Sequence, residues 1–306
     1  MKAIVTGATG FAGKWLVDEL LFQGDDITVI VRDKRRVPKE WGGMVHMVEA
    51  PLGQLRLLQA EDFAGKGGDI FFHFAWDGTS GDRRADISLQ LHNVEFACDA
   101  VGLAKRLHCR RFVNAGSIME YEAMQYIPSD ASRPGMGNIY STAKLAADFM
   151  AKAMALQAGI EYISAVISNI YGPGERSARF LNATLRKMLK NEDVPLTHGE
   201  QLYDFIYASD AAKAIVLAAK KGMGNTSYYI GNARQRQLKE YIIQMKGAVG
   251  SKSQLLFGKV PFSGAMSVYE ELDTEKLRRL GFAPEVGFDD GVQLTKEWIL
   301  EEESEE

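Results

Sequence analysis

The chain has 306 residues, 46% of them hydrophobic and 25% charged, which is enough to bury a sizeable core in the manner of an ordinary globular protein. Its 36 basic and 40 acidic residues leave a formal net charge of −4, so nothing draws it generally to nucleic acid or to an anionic membrane. The two cysteines, Cys98 and Cys109, have no metal-ligand spacing, and no run approaches the roughly 18 apolar residues of a membrane span.

The chain opens with MKAIVT and runs straight into glycines where a secretory signal would carry its cleavage site; a soluble cytoplasmic protein with reduced thiols and no metal is expected. Residues 2–6 read as a short apolar strand, and the helical pattern that follows puts Trp15, Leu16, Leu20 and Leu21 on one face. Further strands are predicted at 26–31 (DITVIV), near 45–48 and at 69–74 (DIFFHF), whose unbroken apolar character suits a sheet covered on both faces. A long helix over 86–107, a strand at 110–115, a helix over 139–158 ended by Gly159, and a strand at 161–168 complete an alternation of strands and helices. That alternation predicts an α/β fold with a Rossmann-type, doubly wound parallel sheet. Beyond Tyr171 the pattern loosens into a turn at 172–174, a helix near 177–190 and short strands at 203–207 and 226–230. The expected organisation is a dinucleotide-binding domain over 1–170 and a mainly substrate-binding lobe over 171–300, with segments around 203–232 returning to the sheet. The acidic residues 301–306 are expected to form a frayed tail.

Between the first strand and helix stand Thr6-Gly7-Ala8-Thr9-Gly10-Phe11-Ala12-Gly13. Glycine there lets the backbone approach a pyrophosphate, whose charge is met by free N–H groups at the helix N-terminus. Gly7, Thr9, Gly10, Phe11, Ala12 and Gly13 are therefore candidate cofactor contacts, against the plainer reading of a tight turn with no ligand. The turn is not a P-loop, because Ala8 stands at the first glycine place and Trp15 at the magnesium-binding Ser/Thr place. After the second strand comes Val31-Arg32-Asp33-Lys34-Arg35-Arg36. A fold that binds NAD ends this strand with an acid on the adenosine ribose, and an arginine nearby accommodates the 2′-phosphate of NADP. With Val31 at the acid's place, Arg32 and Arg35 are read as 2′-phosphate ligands; a solvated basic turn, or Asp33 as a shifted ribose ligand, competes with that reading. Phe74, Ala75 and Trp76 follow the fourth strand on the side where such a sheet holds its ligand, and the loop Trp76–Gly81 is either a substrate contact or a plain surface loop. The five histidines show no ligand spacing, and His73 is expected to pack beneath the cofactor.

Tyr140 and Lys144 lie four residues apart, on one face of a helix, with Ser117 at the end of the preceding strand. A tyrosine of ordinary pKa, about 10, works poorly as an acid or base near neutrality unless a cation stabilises its phenolate, and Lys144 is the candidate cation. Such a pair alone more often marks a solvated helix face; the glycine turn and Ser117 favour catalysis. Ser117 is not a hydrolase nucleophile, because Ala115 and Met119 occupy the glycine places of G-x-S-x-G.

These motifs, with His73-Phe74-Ala75, Asn93, Asn114-Ala115-Gly116-Ser117 leading to Tyr121, Asn169-Ile170-Tyr171-Gly172-Pro173-Gly174, Asp204-Phe205-Ile206-Tyr207 with Asp210, and Leu280-Gly281-Phe282-Ala283-Pro284, follow one another in a recognisable order. Nearly end to end, the chain resembles an extended short-chain dehydrogenase/reductase of the nucleotide-sugar epimerase/dehydratase/reductase branch. The resemblance implies that Ser117 and Tyr140 bind the oxygen at the reacting sugar carbon, that Lys144 holds the nicotinamide ribose, and that Asn169 faces the sugar nucleotide. Dehydratases of the branch carry an Asp-Glu pair where this chain has Ile118 and Met119, and epimerising reductases use a cysteine absent from residues 114–121. Tyr203 stands where many members place a diphosphate-holding arginine. Ser117, Ile118, Met119, Asn169 and Tyr203 are the candidate substrate contacts. The expected activity is NADPH-dependent reduction of a keto carbon, C4, of a nucleoside-diphosphate deoxyhexose, with an NAD-dependent 4-epimerase as the alternative and a non-catalytic NADP sensor behind both. The helices at 86–107 and 139–158 resemble the pair through which family members dimerise, which implies a homodimer built on candidates such as Leu89, Phe96, Leu145, Phe149 and Met150.

Overall fold

The computed structural model describes residues 1–65, 67–126, 134–262 and 272–305. Its scaffold is built from β1 (Lys2–Thr6), α1 (Phe11–Phe22), β2 (Asp26–Val31), β3 (Val45–Glu49), β4 (Ile70–His73), α2 (Ile87–Arg106), β5 (Arg111–Ser117), α3 (Met119–Gln125), α4 (Asn138–Gln157) and β6 (Glu161–Ile167). It continues through β7 (Asn169–Tyr171), α5 (Phe180–Leu189), β8 (Val194–Pro195), β9 (Leu202–Tyr203), β10 (Phe205–Tyr207), α6 (Ala208–Lys221), β11 (Thr226–Ile230), β12 (Arg236–Gln237), α7 (Leu238–Val249), β13 (Leu255–Leu256), α8 (Glu275–Arg279) and α9 (Phe288–Glu305).

Among the described residues seven strands form one sheet in the order β11-β6-β5-β4-β1-β2-β3, and every pairing in it is parallel. The order reverses at β1, where Thr6 pairs with Ile30 on one side and with His73 on the other. At such a switch point the connections leave toward opposite faces and a crevice opens beyond the strand ends. The strands are apolar throughout because both faces are covered. Ala3 and Val5 of β1 pack with Leu16, Val17 and Leu20 of α1 and Ala211 and Ile215 of α6. Ile4 points the other way, into a core with Val101 and Ala104 of α2 and Ala147 and Ala151 of α4. The buried alanines of α4 recur every fourth residue from Ala143 to Ala155, a stripe of small side chains along the face it buries.

A smaller C-terminal lobe gathers α5, α7 and α9 around Tyr171, Leu185, Phe205, Tyr241 and Ile299. The Tyr241 ring meets those of Phe205 and Phe288, each at 4.9 Å between centroids.

Several boundaries differ from expectation for local reasons. β5 runs on to Ser117 because its ladder with β6 continues to the Ser117–Ile167 pair. The helix expected near 177 begins at Phe180, since Arg179 is still extended (φ −65°, ψ 150°). The strand expected over 203–207 is two strands: β9 pairs antiparallel with β12, and β10 pairs parallel with β7. Between them buried Asp204 accepts hydrogen bonds from Tyr229 Oη (2.6 Å) and the Ala233 N–H (2.9 Å). β11 joins the main sheet beside β6. The acidic tail, expected to fray, is helical to Glu305, because Glu302 takes Arg176 Nε at 2.7 Å and pairs with Arg186, and Glu303 pairs with Arg186 and Lys190. No helix among the described residues is long and apolar enough to cross a membrane.

Candidate functional site

The glycine turn is dictated by how closely β1, α1 and β4 approach. Gly7 has φ +74°, and a Cβ there would fall 2.4 Å from the Phe74 carbonyl carbon and 2.5 Å from the Ala75 nitrogen; one on Gly13 would fall 2.0 Å from the Gly7 oxygen. Gly10 caps α1 with no side-chain hydrogen bond, and the first helical bond runs from Lys14 N–H to Gly10 O (2.8 Å). The N–H groups of Phe11, Ala12 and Gly13 have no partner among the described residues, and no acid occupies the first turn, so the helix end is a ready anion site. Thr9 completes the turn. A cavity of about 250 Å³ begins here, lined by Gly10, Phe11, Ala12, Phe74 and Trp76, and ends at Ser117, Tyr140 and Lys144.

A second cavity, about 350 Å³, continues from Ser117 and Tyr140 toward the C-terminal lobe. Ile118, Met119, Asn169 and Tyr203 line it with Ser117, so the five substrate candidates are gathered in one place. The Tyr140 phenol hydrogen-bonds the Ser117 hydroxyl where the two cavities meet. Burial raises its pKa; the nearby charges of Arg179 and Arg84 and the Ser117 hydrogen bond pull it back down. Arg84 lies on the ring, its Cζ 4.4 Å from the centroid.

Lys144 is placed differently from the sequence reading. Its ammonium donates to Ala115 O (2.9 Å) and sits 3.7 Å from the centre of the Trp76 ring. Burial lowers its pKa to about 8 against the opposing pull of Glu120 and Asp148. Glu120, nearly fully buried, accepts from the Ser117 N–H (2.8 Å) and is held well above the usual carboxylate range by burial and by Asp148. His73 is buried, shares a hydrogen bond with Thr6 Oγ1 (2.9 Å), and has its pKa depressed to about 3 by burial, so it is neutral near pH 7.

Four residues at the site escaped the sequence reading: Arg84, Arg179, Glu120 and Ser168. Ser168 Oγ is buried without a hydrogen-bond partner among the described residues, and Ser168 lines both cavities. Only the loop bearing Arg84 had carried a signal, in the glycines of Trp76–Gly81.

The 2′-phosphate site is not assembled. Arg35 grips Asp33 with both arms, Nε to Oδ1 and Nη2 to Oδ2 at 2.9 Å each, and Arg32 leans toward Asp77 at 3.6 Å. Neither lines a cavity described above.

A Rossmann sheet with an anion-ready glycine turn and a buried Ser-Tyr-Lys group defines an NAD(P)-dependent oxidoreductase or epimerase. The chain belongs to the NAD dependent epimerase/dehydratase family, whose model matches residues 3–231. It is 24% identical to a putative UDP-glucose 4-epimerase of Methanocaldococcus jannaschii, over 97% of each chain. It is 23% identical, over 97% of its own length, to a trifunctional UDP-glucose 4,6-dehydratase/UDP-4-keto-6-deoxy-D-glucose 3,5-epimerase/UDP-4-keto-L-rhamnose-reductase of Arabidopsis thaliana, and spans 47% of that protein. Its fold matches that of the Thermotoga maritima UDP-glucose 4-epimerase with UDP-glucose at a TM-score of 0.78 and 20% identity, covering 99% of both chains.

The expectation of an NADPH-dependent 4-ketoreductase is thereby corrected. The matching structures include several that hold NAD+ or NADH, and among them are UDP-glucose 4-epimerases and a dTDP-glucose 4,6-dehydratase. The physical reason lies in Arg35: the Asp33 carboxylate already satisfies the guanidinium that was read as a phosphate ligand.

Proposed function

We propose that the protein is an NAD-dependent nucleotide-sugar 4-epimerase, which inverts the C4 hydroxyl of the sugar through the C4 ketone. The observation that carries this reading is the meeting of the two cavities at Tyr140 and Ser117. One leads from the pyrophosphate-ready turn, the other opens toward the C-terminal lobe.

The residues fit NAD: glycine is obligatory at Gly7 and Gly13, and three free N–H groups at the start of α1 suit the pyrophosphate. Phe74, Trp76 and Lys144 would flank the nicotinamide end. Asp33, the first carboxylate after β2, accepts three hydrogen bonds from Arg35 and keeps one acceptor site, on Oδ2, for a ribose hydroxyl. When bound, NAD supplies the group that takes the C4 hydrogen with its electron pair and later returns it. Tyr140 accepts the proton of the C4 hydroxyl as the ketone forms and gives it back as the ketone is reduced, while Ser117 orients the oxygen. Arg84 and Arg179 offset the burial that would otherwise leave the phenol too weak an acid. Ile118 and Met119 offer no acid or base, so elimination of water has no support at this position. We also propose a homodimer built on α2 and α4, whose exposed apolar side chains include Leu91 and Phe149.

The test is to release small molecules from purified protein for mass spectrometry, and to follow UDP-glucose by proton NMR with no added cofactor. Bound NAD and an approach to a fixed UDP-glucose/UDP-galactose ratio are expected. No interconversion of UDP-, dTDP- or GDP-hexoses, or turnover that consumes an added reductant, would overturn the proposal.

A further inference from the structure

We propose that Arg84 and Arg179 form an anion site beside Tyr140 that receives a negatively charged group of the sugar nucleotide, either its diphosphate or a carboxylate on the sugar. Both line the cavity of about 350 Å³, and among the described residues no Asp or Glu lines it with them. Two guanidinium groups facing one space repel each other unless an anion enters. The site is poised for one: Arg84 Nε is buried with no hydrogen-bond partner among the described residues, and the guanidinium rests on the Tyr140 ring. Arg179 reaches Glu175 at 3.5 Å and keeps 40% of its side chain exposed.

Arg84 is also held in place. The loop that carries it hangs from α2, where Gln90, fully buried, donates to Gly78 O and Arg83 O (3.0 Å each) and accepts from Trp76 Nε1 (2.8 Å). Asn93 clamps the Asp77 backbone from the same helix, donating to its carbonyl (2.8 Å) and accepting its N–H (3.0 Å). Asp86 ends the loop by capping α2 through Leu89 N–H (3.0 Å). A guanidinium fixed before the ligand arrives gives up little freedom on binding, and its planar fork matches carboxylate or phosphate oxygens. Arg84 shares the cavity wall with Tyr203 while resting on the ring of Tyr140, so it lies beside the reacting hydroxyl. A sugar with its C4 oxygen on Tyr140 carries its C6 substituent and, across the ring, its diphosphate within a few bonds of that place. The identity of the ligand rests on the nucleotide-sugar reading above; the anion site does not.

The test uses NAD-loaded protein and calorimetric affinities for UDP, UDP-glucose, UDP-glucuronate and inorganic pyrophosphate, in wild type, Arg84→Met, Arg84→Lys, Arg179→Met and the double variant. Cofactor content and Tm of each variant check the fold. Each lost charge-assisted contact is expected to weaken binding by about 10- to 150-fold, with partial rescue in Arg84→Lys. Equal losses for UDP, UDP-glucose and pyrophosphate assign the site to the diphosphate; a loss confined to UDP-glucuronate assigns it to a sugar carboxylate. If wild type binds pyrophosphate alone and the double variant does not, the anion site stands and the nucleotide-sugar reading falls. Unchanged affinities in the double variant, or no binding of any of the four by wild type, overturn the proposal.

Discussion

Arg84 lies on the ring of Tyr140, its guanidinium carbon 4.4 Å from the centroid, while Lys144, four residues along the same helix as the tyrosine, is turned onto Trp76. The cations that act on the phenol thus come from outside α4. Burial holds the Tyr140 pKa above its ordinary value, and Arg179 and Arg84 favour the phenolate and lower it. Removing one of them therefore raises that pKa. Turnover that needs the phenolate should rise with pH, and in Arg179→Met this limb should move to higher pH at saturating substrate. The check is the pH profile of kcat; an unmoved limb would mean that Arg179 does not act on the phenol.

Tyr140→Phe removes the proton carrier and leaves the ring. A fall of about 10²–10⁴-fold in kcat is expected, the usual worth of general acid–base catalysis, with bound NAD retained. Near-normal turnover in the variant would assign the proton transfer elsewhere.

Lys144 has a folded pKa near 8, below its ordinary value, chiefly because it is buried. Between pH 8 and its unfolded pKa of about 10.5 the unfolded chain binds more protons at this site, so the contribution to stability rises with pH; below pH 8 the cost of burying the charge is present in full. Urea unfolding at pH 7 and pH 9.5 should show wild type gaining on Lys144→Met, by an amount on the order of 1–2 kcal/mol. Wild type losing ground to Lys144→Met as the pH rises would mean the ammonium is stabilised in the fold.

The parts of the site legible in the sequence are those written in contiguous residues. The glycine turn, Ser117 at a strand end and the Tyr140/Lys144 spacing each declare themselves, because strand and helix periods fix where neighbours point. Arg84 could not be found that way: its link to Tyr140 runs through a loop with no period, held by Gln90 and Asn93 across α2. The misreading of Arg35 has a different origin: Asp33, two residues back, is weighed in the sequence as a ribose ligand and not as the partner of the guanidinium. The break at Asp204 was hidden because its partners, Tyr229 and Ala233, lie on later elements.

Arg35 supplies a prediction in which nothing happens. Its fork is spent on Asp33, so Arg35→Ala should leave the affinities for NAD and NADP within about twofold of wild type, the scale of an ordinary surface substitution. A selective loss of NADP binding would show that the pair opens to take a phosphate.

The dimer prediction rests on which apolar side chains face outward. On α4, Phe149 is 75% exposed and Met150 51%; on α2, which packs alongside, Leu91 is 63% and Ile87 54%. Leu89, Phe96 and Leu145 are only half-buried, and the Phe96 ring lies over Gly53, so the outward patch is narrower than the sequence suggested and centres on Phe149. Contiguous exposed apolar side chains on paired helices mark an interaction surface. In a two-fold dimer each contact occurs twice, and full burial of a Phe side chain stabilises by about 1.5–3 kcal/mol. Phe149→Asp should therefore weaken association by roughly 3–6 kcal/mol, on the order of 10²–10⁴-fold in Kd, because two anchors are lost and two carboxylates face a closing interface. Light scattering at micromolar concentration should give a dimer mass for wild type and a monomer mass for the variant. The NAD content of the variant should be unchanged, since Phe149 lines neither cavity. A monomeric wild type would remove the proposal, and a dimeric Phe149→Asp would move the interface off this pair of helices.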